Sequence, residues 1–223
     1  MIKIAIDGPS GAGKSTLAKR IAKELGLIYI DTGALYRSVG LFVCRKGISH
    51  ENKAAIISCL DEVKVELGFD SQGEQRVYLC GEDVSSFIRT PEIAKYASAV
   101  SAIPEVRALL FGMQRDIADK NSVIMDGRDI GTVILPDADV KLFLSATDIA
   151  RAERRQKELL EKGEVHTVDE ILAAMRERDL RDSTRDIAPA VAAEDAIHFD
   201  NSALGIDESV AEALRIIREK LAL

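Results

Sequence analysis

Gly8-Pro9-Ser10-Gly11-Ala12-Gly13-Lys14-Ser15-Thr16 sets two glycines five residues apart and follows the second with Lys and Ser. Small residues let consecutive backbone N–H groups turn onto a polyphosphate, and a helix starting there offers its positive end to the same anion. Lys14 suits the β- and γ-phosphates, and the Ser15 hydroxyl suits Mg²⁺. An ordinary glycine-rich turn needs none of the context found here: an apolar run before it, an amphipathic helical pattern after it and Lys-Ser at its end. The motif predicts a nucleoside triphosphate site and leaves its use open.

Four further clusters carry charge where it could act. In Asp31-Thr32-Gly33-Ala34-Leu35-Tyr36-Arg37, Asp31 or Thr32 can cap a helix, but Arg37 stands near the positive end, where a cation is disfavoured unless an anion is present. Asp126-Gly127-Arg128-Asp129-Ile130-Gly131 combines carboxylates and a guanidinium with glycines that admit a ligand to the backbone; a structural Arg128–Asp126 pair is the competing account. Arg151, Arg154 and Arg155, in a segment ending at Lys162-Gly163, fit either a solvated helix face or a flap over polyphosphate. Arg178-Asp179-Leu180-Arg181-Asp182-Ser183-Thr184-Arg185 fits either forks matched to phosphates or an intrahelical salt-bridge ladder.

Short apolar runs position these clusters: Ile2 to Ile6, Leu27 to Ile30, Val123 to Met125, Val140 to Leu144 and Ala196 to Phe199. Helical patterns alternate with them, as in Leu17, Ile21 and Leu25, or Val210, Leu214, Ile217 and Leu221, which predicts an α/β fold with a five-stranded parallel sheet. Ligands of such sheets sit beyond the C-terminal strand ends, where the loop and the first three charged clusters begin. Val63, Val65, Leu67 and Phe69 alternate with polar residues, Asp70 to Gly73 reads as a turn and Val77 to Cys80 follows, so a small antiparallel insert is expected.

The 223 residues, 47% of them apolar, suffice for one substantial core, and no linker or repeat divides them. A single domain is expected over 1–223, with an insertion at about 38–100 whose antiparallel part is about 63–84, and a lid at about 149–165. A net charge of −7 argues against nucleic acid as the main partner. Cys44, Cys59 and Cys80 suggest neither a disulfide framework nor a zinc site, and the three histidines stand apart. No apolar run reaches membrane-spanning length and the chain opens on a strand, so a cytoplasmic protein without membrane partners is expected. A monomer is expected as well.

The loop, Asp31-Thr32-Gly33 with Tyr36-Arg37, Asp126 to Asp129 and the Arg178 to Arg185 cluster together resemble the bacterial cytidylate kinases over nearly the whole chain. The resemblance implies transfer of the ATP γ-phosphate to CMP or dCMP, with Mg²⁺. It assigns cytosine contacts to Ser98, Arg107 and Asp129, sugar contacts to Asp182 and Arg178, and phosphate contacts to Arg37, Arg128 and Arg185, with Thr32 also at the CMP site. ATP would be held by the loop residues 8–16 with Arg154 and Arg155, and Lys14, Arg37, Arg128 and Arg185 would act in catalysis. Read without the resemblance, Ser98 is a bystander and Arg107 a solvated side chain in a helical stretch from Pro91 to Ile117.

The chemistry of the base supports this independently. Cytosine offers O2 and N3 as acceptors and its N4 amino group as donor, which an arginine and a carboxylate complement. Uracil inverts two of these positions, and each buried mismatch costs about 1–3 kcal/mol. A phosphate nucleophile is already anionic near neutral pH, so Asp129 is expected to bind and not to move a proton. A kinase for another small acceptor would keep the cradle and change the acceptor pocket. A nucleotide switch reading guanine would need an Asn-Lys-x-Asp segment, which the sequence lacks.

Overall fold

The computed structural model describes residues 1–161 and 163–222; Lys162, at the end of the arginine-bearing segment, and Leu223 lie outside the described residues. The elements run β1 (Lys3–Asp7), α1 (Lys14–Leu25), β2 (Ile28–Asp31), α2 (Thr32–Arg45), α3 (Lys53–Ser58), β3 (Val65–Phe69), β4 (Gln75–Leu79) and β5 (Glu82–Asp83). They continue through α4 (Pro91–Val100), α5 (Pro104–Lys120), β6 (Val123–Asp126), β7 (Val140–Ser145), α6 (Asp148–Glu161), α7 (Val168–Thr184), β8 (Ile197–Asp200) and α8 (Ile206–Leu221). The expected five-stranded parallel sheet is present, in the order β2-β6-β1-β7-β8, with a separate antiparallel sheet β3-β4-β5. Each predicted parallel strand is found within one residue of its expected bounds.

The chain divides into two compact units, Met1–Leu27 with Asn121–Leu223, and Ile28–Lys120. In the first, β1 pairs in parallel with β6 and β7, and β7 with β8. Ile4, Ala5 and Ile6 of β1 are all fully buried, as a central parallel strand covered on both faces requires. Leu17 and Ile21 of α1 and Val210, Leu214 and Ile217 of α8 are buried on the apolar stripes read from the sequence.

In the second unit, one cluster joins Leu35, Val39 and Val43 of α2 to Ile93, Ala97 and Val100 of α4, Val106 and Leu110 of α5, and Val65, Val77 and Leu79 of the hairpin. The hairpin turn falls where expected, with the Asp70 carboxylate accepting from Gln72 N and Glu74 N, each at 2.9 Å. Two expected boundaries shift. Val63 is not in a strand, because a 3₁₀ turn at Leu60–Glu62 precedes it and Val63 N donates to Leu60 O. The stretch from Pro91 to Ile117 is two helices, since Pro104 lacks the N–H and the room to continue the first. Cys44, Cys59 and Cys80 are free thiols. No helix among the described residues is long and apolar enough to cross a membrane.

Candidate active site

In the first unit the chain leaves β1 at Asp7 and turns through the glycine-rich loop into α1. Gly8 has φ +146, and a Cβ there would lie 2.0 Å from the Leu144 carbonyl oxygen, so only glycine fits. α1 begins after Gly13 with no side-chain cap, which leaves its first N–H groups, those of the turn holding Ser15 and Thr16, for an external anion. Lys14 Nζ donates to the Pro9 carbonyl at 2.8 Å and so lies over the loop. Burial, and then the Arg128 charge, hold the Lys14 ammonium well below the ordinary lysine range.

Two helices brace the loop. Asn201 Nδ2 donates to Ala12 O at 3.1 Å, while Arg154 donates to Asn201 Oδ1 at 3.0 Å and to Asn201 O at 2.7 Å. Arg155 pairs with Glu158 at 2.9 Å along the same helix. Arg151 departs from both readings of its segment: it is buried, and its guanidinium donates to Ser10 O, Asp148 and Asp179.

Ser15 Oγ donates to Asp126 Oδ2 at 2.8 Å at the end of β6. These two hard oxygens fit Mg²⁺, which takes few protein ligands and fills its octahedron with phosphate oxygens and water. No cluster of three or more His, Cys, Asp or Glu able to hold a metal is found among the described residues.

Just past β6, Arg128 Nε donates to Asp182 Oδ2 at 3.1 Å, and Asp129 Oδ1 lies 3.5 Å from Arg185 Nη2. Two consecutive residues therefore make crossed ion pairs with the last turn and C-cap of α7. Arg185 Nε also donates to Ala188 O at 2.7 Å. The ladder reading of this cluster holds in part, since Arg181 pairs with Glu177 and Arg178 lies 3.8 Å from Asp182, each at i,i+4. Asp7 accepts from Ile130 N at 2.8 Å and Gly131 N at 2.7 Å, capping the π-helical turn Ile130–Ile134 that follows Asp129. Burial raises the Asp7 pKa to about 6, with Asp129 adding to the rise and the two N–H bonds opposing it.

In the second unit Asp31 caps α2, accepting from Ala34 N at 3.0 Å. The same carboxylate takes Arg37 at 2.9 Å and Arg89 at 3.0 Å. Burial alone would raise the Asp31 pKa, but the two guanidiniums and the Ala34 N–H hold it below the ordinary carboxylate range. An anion does accompany Arg37 at the helix start, and it is the cap of that helix. Gln75 brackets the Asp31 main chain, its Oε1 accepting from Asp31 N at 2.8 Å and its Nε2 donating to Asp31 O at 3.3 Å. Thr32, at the head of α2, and Ser98, on α4, are buried. Arg107 is 8% exposed, not solvated; it donates to Ser101 O at 3.3 Å and lies over the Tyr36 ring at 5.6 Å.

Sequence reasoning passed over Asp7, Gln75 and Arg89, and it assigned neither Asp179, of the Arg178 to Arg185 cluster, nor Asn201 to the phosphate loop. Asp7 and Asn201 follow apolar runs and were findable as strand-end residues. Gln75, Arg89 and Asp179 gain their partners only through tertiary packing.

The family model described as cytidylate kinase matches residues 4–219. A cytidylate kinase of Caldicellulosiruptor saccharolyticus is 48% identical over 215 residues, covering 96% of this chain and 95% of its own. One from Lactobacillus johnsonii is 46% identical over 220 residues, covering 99% and 95%. Among solved structures, an uncharacterised protein from Eubacterium ventriosum shares the fold with a TM-score of 0.53 at 14% identity, covering 97% of this chain and 98% of that one.

Proposed function

The chain belongs to the cytidylate kinase family, and from that premise we propose how its own residues carry out the transfer of the ATP γ-phosphoryl group to CMP or dCMP. The enzyme is a nucleoside monophosphate kinase. The bond from Pγ to the bridging oxygen of ADP breaks as a bond forms from Pγ to a phosphate oxygen of the acceptor, giving ADP and CDP or dCDP. Such a transfer asks for in-line alignment and neutralised charge more than for a strong base.

The observation that carries the reading is the pair of crossed contacts Arg128–Asp182 and Asp129–Arg185, at the C-terminal end of a strand that also presents Asp126 to the loop serine. On this reading residues 8–16 hold the ATP phosphates, with Lys14 turning from Pro9 O to the β- and γ-phosphates. Arg37, Arg128 and Arg185 take the acceptor phosphate and the charge of the moving group. Asp129, Arg107 and Ser98 read the cytosine edge, Asp182 and Arg178 take the sugar, and Thr32 lines the acceptor site. Arg154 and Arg155 lie on the ATP side.

Mg²⁺, when bound, neutralises phosphate charge; Ser15 would hold it, with Asp126 orienting the hydroxyl or binding through water. Closure of the segment at about 149–165 would keep water from the phosphoryl group. We further propose a single catalytic domain built around one insertion, acting as a cytoplasmic monomer on nucleotides alone, without nucleic-acid or membrane partners.

Coupled ADP formation with CMP, dCMP, UMP, AMP and GMP supplied separately tests the reading. CMP and dCMP are expected to turn over fastest. Brisk turnover with another acceptor and none with either cytosine nucleotide would overturn it.

A further inference from the structure

We propose that Arg151 and Asp179 are positioning residues that grip the Ser10 main chain by its N–H and its C=O and thereby hold the phosphate loop in its binding shape. The inference rests on the reading of residues 8–16 as the ATP cradle. Ser10 N donates to Asp179 Oδ1 at 2.9 Å, and Ser10 O accepts from Arg151 Nη1 at 2.8 Å. The same Nη1 also donates to Asp179 Oδ2, so the two side chains close a ring through the Ser10 main chain, whose N–H and C=O belong to the two successive peptide groups that flank its Cα.

The ring is anchored outward as well. Arg151 Nη2 donates to Asp148 Oδ1, and Asp148 Oδ2 accepts from Arg176 Nε at 2.7 Å, which ties α6 to α7 behind the loop. Arg151 is 5% exposed. Carboxylates on either side more than offset the cost of burying its charge and raise its pKa above the ordinary arginine value. The next residue is held by contact: a Cβ on Gly11, at φ +73, would lie 2.7 Å from Met175 Cε and 3.5 Å from Arg151 Cβ.

A cradle binds anions only while its N–H groups point inward. Rotation of the Ser10–Gly11 peptide plane would bring the Ser10 carbonyl oxygen round toward the phosphates. Arg151 holds that oxygen, and Asp179 holds the N–H of the preceding Pro9–Ser10 peptide, so a charge-assisted hydrogen bond opposes rotation of each of the two planes. Asp179 also stands three residues before Asp182 on α7, so the helix that fixes the loop is the one bearing residues assigned to the acceptor. Of the three arginines in this segment, Arg151 therefore serves the loop as a fixture.

The test uses the full chain with Asp179→Ala, Asp179→Asn and Arg151→Lys. Asn keeps an acceptor for Ser10 N–H while losing the charge facing Arg151, so it is expected to restore part of what Ala loses. For Asp179→Ala, kcat/KM for ATP is expected to fall roughly tenfold to a hundredfold, the scale of a small misplacement of reacting groups. CMP affinity measured without ATP should stay within about twofold of wild type, while hydrogen exchange at the Ser10 amide accelerates relative to the amides of β1.

Unchanged ATP kinetics in folded Asp179→Ala and Arg151→Lys would overturn the proposal. So would a kinetic loss with Ser10 exchange unaltered, because the effect would then not pass through this peptide. Should Asp179→Ala fail to fold, Asp179→Asn and Arg151→Lys carry the same measurements. Failure of the ATP-cradle reading is distinguishable, since the wild-type chain itself would then not bind ATP.

Discussion

Asp129 faces Arg185 at 3.5 Å while its chain neighbour Arg128 reaches Asp182 at 3.1 Å, so residues of opposite charge just past β6 and at the end of α7 pair crosswise. Each charge is held ready by its partner and can exchange that partner for a ligand group without crossing into an uncompensated buried state.

If Asp129 reads the cytosine amino group, Asp129→Asn will weaken the preference for CMP over UMP. The ratio of kcat/KM values is expected to drop by about tenfold to two-hundredfold, corresponding to one mismatched buried contact of about 1–3 kcal/mol. An unchanged ratio in steady-state kinetics would remove Asp129 from the base site.

Asp31→Ala deletes the cap of α2 and the shared counter-charge of Arg37 and Arg89 together. Loss of a cap and a buried charged acceptor is expected to cost about 1–3 kcal/mol, with the KM for CMP rising as Arg37 loses its orientation. Because its folded pKa is depressed, the Asp31 contribution is present above the ordinary carboxylate range and fades as pH falls through and below it. Denaturant melts of both proteins across acidic pH would reveal a gap that closes toward low pH; a constant gap would contradict the assigned ionisation.

Asp7 has the opposite sign. Its pKa is raised to about 6 from 3.8, so protonation is favoured by folding. Its stabilising contribution is therefore complete below about pH 4 and is lost as pH rises toward 6. Relative to Asp7→Asn, the wild-type protein should lose about 3 kcal/mol of stability over that interval and then level off. A difference between the two that does not vary with pH would show that Asp7 titrates as an ordinary aspartate.

Asp126→Asn leaves Ser15 with a weaker acceptor. The Mg²⁺ concentration giving half-maximal activity is expected to rise about 10- to 100-fold, the usual cost of losing an orienting partner at a metal site. Full activity at unaltered Mg²⁺ would detach this pair from the metal.

The parts of the fold read most directly from residue order are those fixed locally. The loop from Gly8 to Thr16 is defined by residue type and spacing, and the buried strands by short apolar runs closed by turns. Arg151, Arg154 and Arg155 show where local pattern stops. All three lie within one and a half helical turns, yet Arg151 is buried against Ser10, which is 141 positions away, while Arg155 pairs with Glu158 on its own helix. Arg107 differs in the same way from its sequence reading, because burial of a polar helical residue is decided by what packs across from it. The two-residue strand β5 carries no periodicity at all.

Asp31 serves two guanidiniums with one carboxylate, and Arg89 remains about half open to solvent. The head of α2 is thus an ion exchanger loaded with a resident counter-ion. On the proposed reading a dianionic acceptor enters by substitution: it claims the surplus cation and leaves Asp31 the remaining one. Because Arg89 is open to solvent, dissolved salt screens its pull on the doubly charged guest, so the substitution becomes less favourable as ionic strength climbs.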